Sequence, residues 1–232
     1  MEDVTPGLIQ AIKDEFVSAY EKSGRIQELL KKIQEGTATY EEARQYSVEV
    51  SKLIGDAYRK NISSANLPDG KMYYNIARRL LPETMDENHR LVADYAKRVQ
   101  ETLNKKAGIG LRAQVAALDK DRVDGLVELA TGGDQYDDVS GQLETAIETF
   151  SQAIVDETIR KNVEFHGQSG LRPTVRRRAT ARCCRWCSSL AGEYEYPQVP
   201  KDVYRRHENC RCSVLYDPRD GRKQNVWSKR WT

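Results

Sequence analysis

Cys183-Cys184-Arg185-Trp186-Cys187 and, nineteen residues further on, His207-Glu208-Asn209-Cys210-Arg211-Cys212 hold all five cysteines of the chain and one of its three histidines. Cys184 and Cys187 stand in a C-x-x-C spacing, and His207 and Cys210 in an H-x-x-C spacing. Two such pairs facing each other across a loop suit a tetrahedral ion that takes thiolate and imidazole ligands, which points to zinc. Four ligands close the shell and make the ion structural. Cys184, Cys187, His207 and Cys210 are the expected set. Cys212 is the alternate ligand for His207 or Cys210, because residues 210 and 212 of an extended segment point to one side. Cys183 is the expected bystander. Disulfides are disfavoured by the adjacent Cys183 and Cys184 and by an N-terminus that does not read as a signal peptide, so the chain is expected to be made in the cytoplasm.

The flanks of this stretch decide the rest of the fold. Upstream, Leu171 to Thr180 reads as extended, because Pro173 opposes helix and β-favouring residues alternate weakly. Downstream, Cys212-Ser213-Val214-Leu215-Tyr216 reads as a strand. Strand, metal turn, loop and strand make a small β-rich zinc-binding module, with the ion replacing the core that so short a segment lacks.

Before residue 168 the pattern is helical. Thr5-Pro6 marks a helix start with Thr5 as N-cap, and Leu8, Ile9, Ile12, Phe16 and Tyr20 share one face. Gly24 interrupts, and Ile26, Leu29, Leu30 and Ile33 continue the stripe. Thr39 and Glu42 form a capping box ahead of a helix whose expected buried face is Ala43, Tyr46, Val50, Leu53, Ile54 and Tyr58. Met72 to Leu81 reads as a helix stopped by Pro82. A second helix is expected over 83–105, one or two short ones over 111–130, and a long one over 141–165. His89 is expected to face solvent. The expected class is therefore mainly α: a multi-helix body over 1–168, the zinc module over 169–220, and a basic tail over 221–232 that carries Trp227 and Trp231 as a flexible or docking segment.

Composition agrees with much solvated surface. Of 232 residues 39% are hydrophobic and 31% charged, and no apolar run reaches the length of a membrane span. Net charge is +2, but residues 172–232 carry fifteen Lys/Arg against six Asp/Glu, net +9, which leaves −7 on residues 1–171. A basic end on an acidic body suits a polyanion or an acidic protein surface. No phosphate loop, nucleophile elbow, H-E-x-x-H or nucleic-acid motif is present.

Cys184-x-x-Cys187, then Leu190-Ala191-Gly192-Glu193-Tyr194, then Pro200-x-x-Val203-Tyr204-x-x-His207-x-Asn209-Cys210-Arg211-Cys212, resembles the C-terminal signature of phage minor head proteins, the head morphogenesis proteins of the phage Mu F-like (MuF) family. The specific part covers about residues 143–216. Many members carry an acidic residue and a proline near the first cysteine pair, and this chain has neither there. The resemblance implies a virion protein present in few copies, located in the head interior or at the portal vertex. It also implies association with portal or major capsid protein and a part in head assembly or genome delivery, with no small-molecule substrate.

Packaged DNA near the basic end makes Arg176, Arg177, Arg178, Arg182, Arg205, Arg206 and Arg211 the expected phosphate-facing set. Two other classes compete. A zinc-containing nucleic-acid-binding protein needs a groove-reading helix after the C-x-x-C, and none follows. A metal-dependent nuclease or hydrolase, suggested by His207 and Asn209, needs oxygen or imidazole ligands and a free base, whereas this site is rich in thiols. The chain is therefore not expected to be an enzyme.

Overall fold

The computed structural model describes residues 3–218 and the backbone of 224–225 and 230–231. Six helices of more than ten residues come first: α1 (Thr5–Lys22), α2 (Gly24–Gln34), α3 (Tyr40–Asn61), α4 (Tyr74–Ala107), α5 (Lys120–Thr131) and α6 (Tyr136–Gln168). Then follow β1 (Thr174–Arg178), the short α7 (Arg185–Ser189), β2 (Gly192–Glu195) and β3 (Ser213–Asp217). These three strands make an antiparallel sheet in the order β2-β1-β3. The backbone pairs β4 (Gln224–Asn225) and β5 (Arg230–Trp231) are antiparallel to each other. Trp227 and the remainder of the tail lie outside the described residues. The class is as expected: mostly helix, with a small C-terminal sheet beside a Cys/His cluster. Among the described residues no helix is long and apolar enough to cross a membrane.

Packing divides the chain into two compact units that do not follow the linear order. The first comprises Met1–Lys31, Gln45–Val92 and Ala117–Gln152. The second comprises Lys32–Arg44, Ala93–Ala116 and Ala153–Thr232. Residues 169–220 thus share a unit with helical segments of α3, α4 and α6, where the sequence suggests a module beginning at 169.

In the first unit Ile12, Ile54, Leu80, Met85, Leu143 and Ile147 are buried. Each such side chain contributes roughly 1.5–3 kcal/mol relative to exposure. Several buried polar groups find partners: Tyr58 Oη and Thr84 Oγ1 lie 2.6 Å apart, and Asn88 Nδ2 donates to Ser151 Oγ at 2.6 Å, whereas Asn88 Oδ1 and Thr5 Oγ1 are buried without one among the described residues.

Two helix starts differ from expectation. Thr5 is the first helical residue and not the cap, because the Asp3 carboxylate accepts from its amide at 3.1 Å. At α3 the Glu42 carboxylate accepts from the Thr39 amide at 2.9 Å, while Thr39 Oγ1 accepts from the amide of Glu41 and not of Glu42. Half of the capping box is therefore realised. Pro82 does not stop a helix: α4 passes through it. Proline removes one hydrogen bond, but Ile76, Leu80 and Leu81 before it and Met85 and Val92 after it form one buried stripe. Breaking the helix would expose that stripe. His89 is half-buried, not open to solvent.

The second unit explains why 109–119 is not helical. Asn162 of α6 accepts from the Gln114 amide and donates to the Gln114 carbonyl, both at 2.8 Å. Thr158 Oγ1 accepts from the Ala116 amide at 3.2 Å. Side chains on α6 thus take hydrogen bonds of Gln114 and Ala116 that a local helix would otherwise supply. A further polar chain runs from Tyr40 Oη to Gln100 Oε1 (2.7 Å), from Gln100 Nε2 to Asn104 Oδ1 (2.7 Å), and from Asn104 Nδ2 to the Leu111 carbonyl (2.9 Å).

The sheet belongs to this unit. Val175 and Arg177 of β1 are buried, and Arg176 and Arg178 are exposed. On β3, Tyr216 lies opposite Val175 and Val214 opposite Arg177, so Val175, Arg177, Val214 and Tyr216 form the inner face. Tyr216 Oη meets His166 Nδ1 of α6 at 2.5 Å. His166 is fully buried, and burial pushes its pKa down from an ordinary 6.5 to about 4. Gly167 stands against the ring of Tyr196, which follows β2: a Cβ at 167 would lie 2.6 Å from Tyr196 Cγ and closer still to two other ring carbons.

Candidate metal centre

Two short turns converge on the sulfur cluster. Cys184 is the N-cap of α7, and its Sγ accepts from the Cys187 amide at 3.4 Å. One turn of helix carries Cys187 inward, where it is 1% exposed. That amide hydrogen bond holds the Cys184 thiol below its ordinary pKa, while burial pushes the Cys187 thiol up to about 12. The second turn spans His207 to Cys210, closed by the Cys210 amide donating to the His207 carbonyl at 3.2 Å. It requires Asn209 at a φ of 59°. Among non-glycine residues asparagine is one of the few that adopts this left-handed conformation readily.

Three pairs of ligand atoms lie near coordination spacing. His207 Nε2 is 3.4 Å from Cys184 Sγ and 3.1 Å from Cys187 Sγ, and Cys187 Sγ is 3.7 Å from Cys210 Sγ. A tetrahedral zinc ion with bonds of ~2.3 Å to sulfur and ~2.0 Å to nitrogen needs edges of about 3.8 Å and 3.5 Å. His207 Nδ1 lies 2.6 Å from the Glu208 carbonyl oxygen. A proton on Nδ1 satisfies that carbonyl and turns the Nε2 lone pair toward the sulfurs, the usual outer contact of a metal-bound imidazole.

Two overlapping sets share Cys187: Cys184, Cys187 and His207 in one, and Cys187, Cys210 and Cys212 in the other, with ligand atoms within 4.8 Å of one another in each. The cluster can therefore hold a metal ion. All five expected ligand candidates are gathered. Cys183 is in neither set and packs, partly buried, against Cys187, Cys210 and Cys212. All five cysteines are free.

The arginines divide. Arg178, Arg182, Arg205 and Arg211 are exposed. Arg176 is exposed but paired with Glu193 of β2, and Arg205 is likewise paired with Asp202 at 3.2 Å. Arg177 and Arg206 depart from the phosphate-facing expectation. Arg177 is 2% exposed, and its Nη1 donates to the carbonyls of Val203 and, at 3.0 Å, Arg205. Its Nη2 lies 3.5 Å from Cys187 Sγ and 3.7 Å from Cys210 Sγ. Its Cζ stands 5.4 Å from the centre of the Trp186 ring, and that ring meets His207 edge-on at 5.8 Å.

The Arg206 side chain is also buried. It pairs with Asp156 of α6 through Nε and through Nη2 at 3.0 Å. Its Nη1 donates to the Cys212 carbonyl at 2.8 Å and more loosely to that of Cys210 at 3.5 Å. Desolvation works against the Arg206 charge, but Asp156 more than offsets it, and the pKa rises. Both arginines brace the centre from within. Alternation along β1 carries the signal for Arg177: once Val175 faces the core, Arg177 must share its side. No local pattern betrays Arg206, whose partner is fifty residues away.

Comparison with curated proteins and with solved structures gives no match. A family model described as VG15 protein matches residues 34–231, a span that includes the whole Cys/His cluster, both buried arginines and the three-stranded sheet. The chain belongs to the VG15 protein family, a family of phage proteins.

Proposed function

We propose that this phage protein is a minor structural component of the virion head that associates with portal or major capsid protein. Its C-terminal sheet is fastened by one structural zinc ion and turns a basic face toward packaged DNA. The observation that carries the zinc reading is the gathering of Cys184, Cys187 and His207 within 4.8 Å of one another, with Cys210 Sγ 3.7 Å from the shared Cys187 Sγ. Cys184, Cys187, His207 and Cys210 are the proposed ligands, and Cys212 is the buried neighbour. The ion closes its shell with four protein atoms and so holds the fold instead of activating water. A non-catalytic role is further supported by His207: one ring nitrogen faces sulfur and the other a backbone carbonyl, leaving neither as a general base.

The head assignment rests on the resemblance of the C-terminal signature to MuF-type proteins, on phage family membership, and on the charge of residues 172–232. With Arg177 and Arg206 withdrawn, Arg178, Arg182, Arg205 and Arg211 form the phosphate-facing set, with Arg205 shared with Asp202 and Arg176 with Glu193. The test is mass spectrometry and metal analysis of purified DNA-filled particles. The chain should be present at low copy and bring one zinc per chain; its absence from such particles refutes the head assignment. In solution, DNA binding should weaken steeply with salt. Neutralising Arg178, Arg182, Arg205 and Arg211 should lower the salt slope by about one for each phosphate that is no longer met by a cation. Binding indifferent to salt refutes the polyanion face.

A further inference from the structure

Arg177 is a buried cation with no carboxylate. Among the described residues its hydrogen-bond partners are the carbonyls of Val203 and Arg205 and the sulfurs of Cys187 and Cys210. Its Nε is buried without a partner. The other buried guanidinium of this unit, Arg206, has Asp156. Taking a permanent charge out of water is costly unless an opposite charge meets it. Two carbonyl dipoles and the face of Trp186 help, but they supply no net negative charge. A protonated thiol is a weak neutral acceptor, and a metal-bound thiolate is an anion.

We propose that Arg177 is the built-in countercharge of the metal centre, a positioning residue that selects a shell of three thiolates and one imidazole. The inference rests on the zinc reading above. A dication held by the thiolates of Cys184, Cys187 and Cys210 and by neutral His207 carries a net charge of −1, and Arg177 brings the buried ensemble to zero. A fourth thiolate from Cys212 would leave it at −1, and two thiolates would leave it at +1. Position agrees with charge, since Nη2 reaches the two buried members of the thiolate set at once. The fork is fixed from behind by the carbonyls of Val203 and Arg205, which lie just ahead of His207. Arg177 therefore couples the central strand to both ligand-bearing turns.

The test uses the full chain loaded with Zn²⁺ or Co²⁺, read by chelator competition and by the cobalt spectrum. Wild type should bind one ion per chain with a tetrahedral cobalt spectrum. R177Q, which removes the charge, should weaken zinc binding about 10- to 100-fold. It should also move the thiolate-to-cobalt charge-transfer band to lower energy, because thiolates stripped of a cation and its N–H donors give up an electron more easily. A purely structural role would leave that band in place. R177K keeps the charge without the fork; it should stay within tenfold of wild-type affinity, and it carries the test if R177Q does not fold. C212S should bind zinc as wild type does, and C210S at least a hundredfold more weakly.

A folded R177Q with unchanged affinity and band position overturns the proposal, as does R177K losing more than a hundredfold. Two ions per chain overturn the charge count, and C212S failing where C210S binds overturns the choice of Cys210 as the third thiolate. Failure of the wild-type protein to bind either metal removes the zinc reading itself, and is told apart from the other outcomes because it precedes any change at Arg177.

Discussion

Replacing Asp156 by Asn tests how the C-terminal sheet is tied to α6. The substitution keeps shape and removes one charge. Both side chains of the Asp156–Arg206 pair are 2% exposed, so solvent cannot take over the abandoned guanidinium. Breaking a buried pair from one side costs about 3–5 kcal/mol, a large part of the roughly 5–15 kcal/mol typical of a domain. Arg206 also donates to the carbonyls of Cys210 and Cys212, so a shift of its side chain disturbs the turn that carries the proposed ligand Cys210. Urea unfolding of the full chain, in zinc-saturated buffer and in chelator, should show D156N destabilised by that amount in both.

The double variant D156L/R206M replaces both charges with apolar groups and should regain most of the loss. It should stay about 1–3 kcal/mol below wild type, because the two cysteine carbonyls lose a donor worth roughly 0.5–1.5 kcal/mol each. If D156N loses less than about 1 kcal/mol, or if the double variant is as unstable as the sum of its parts, the pair is not a buried anchor.

Three further outcomes follow from the geometry. The unfolded chain binds a proton at His166 below pH 6.5, but the folded chain does so only below about 4. Folding therefore excludes a proton in that window, and stability complete above pH 6.5 declines by roughly 3 kcal/mol as pH falls to 4. In urea titrations at several pH values H166Q should flatten this slope relative to wild type, and equal slopes would refute it. Gly167→Ala should cost about 1–3 kcal/mol in urea unfolding, because its methyl group enters the Tyr196 ring; a neutral result would show that the ring yields. Asn209→Gly should be neutral within a few tenths of a kcal/mol, whereas Asn209→Val should cost about 1–2 kcal/mol and weaken zinc binding, since a β-branched residue resists the left-handed turn. Equal behaviour of the two variants in chelator competition and urea unfolding would count against that account.

What can be read from the chain depends on the distance over which each residue acts. The ligand candidates are legible because metal chemistry fixes residue type and short spacing together. Ile12, Phe16, Val50, Ile54 and Leu143 are legible because helical period marks a buried face. Residues 109–119 are not: Leu111, Val115 and Leu118 suit a helix, and only Asn162 and Thr158, more than forty residues on, show why the backbone stays extended. Pro82 misleads for the converse reason, since a local breaker is outweighed by a buried stripe on both sides. Strand β2 is hidden because Gly192-Glu193-Tyr194-Glu195 has little pattern of its own and owes its conformation to pairing with β1. Arg177 and Arg206 read as surface charges because composition counts charge without depth.

The two ligand turns bear on the kinetics of assembly. Cys184 and Cys187 lie within one helical turn, so an ion can rest on them before the sheet exists. His207 arrives only after the nineteen-residue spacer has closed into a loop, and the entropy of closing such a loop grows only slowly with its length. An ion already seated on the first pair gives the returning chain a target, and each later ligand shortens the search for the next. β3 begins at Ser213, three residues after Cys210, so its register against β1 is set by an encounter already completed. Zinc would then speed folding as well as slow unfolding, and its omission would show first as a slower refolding rate.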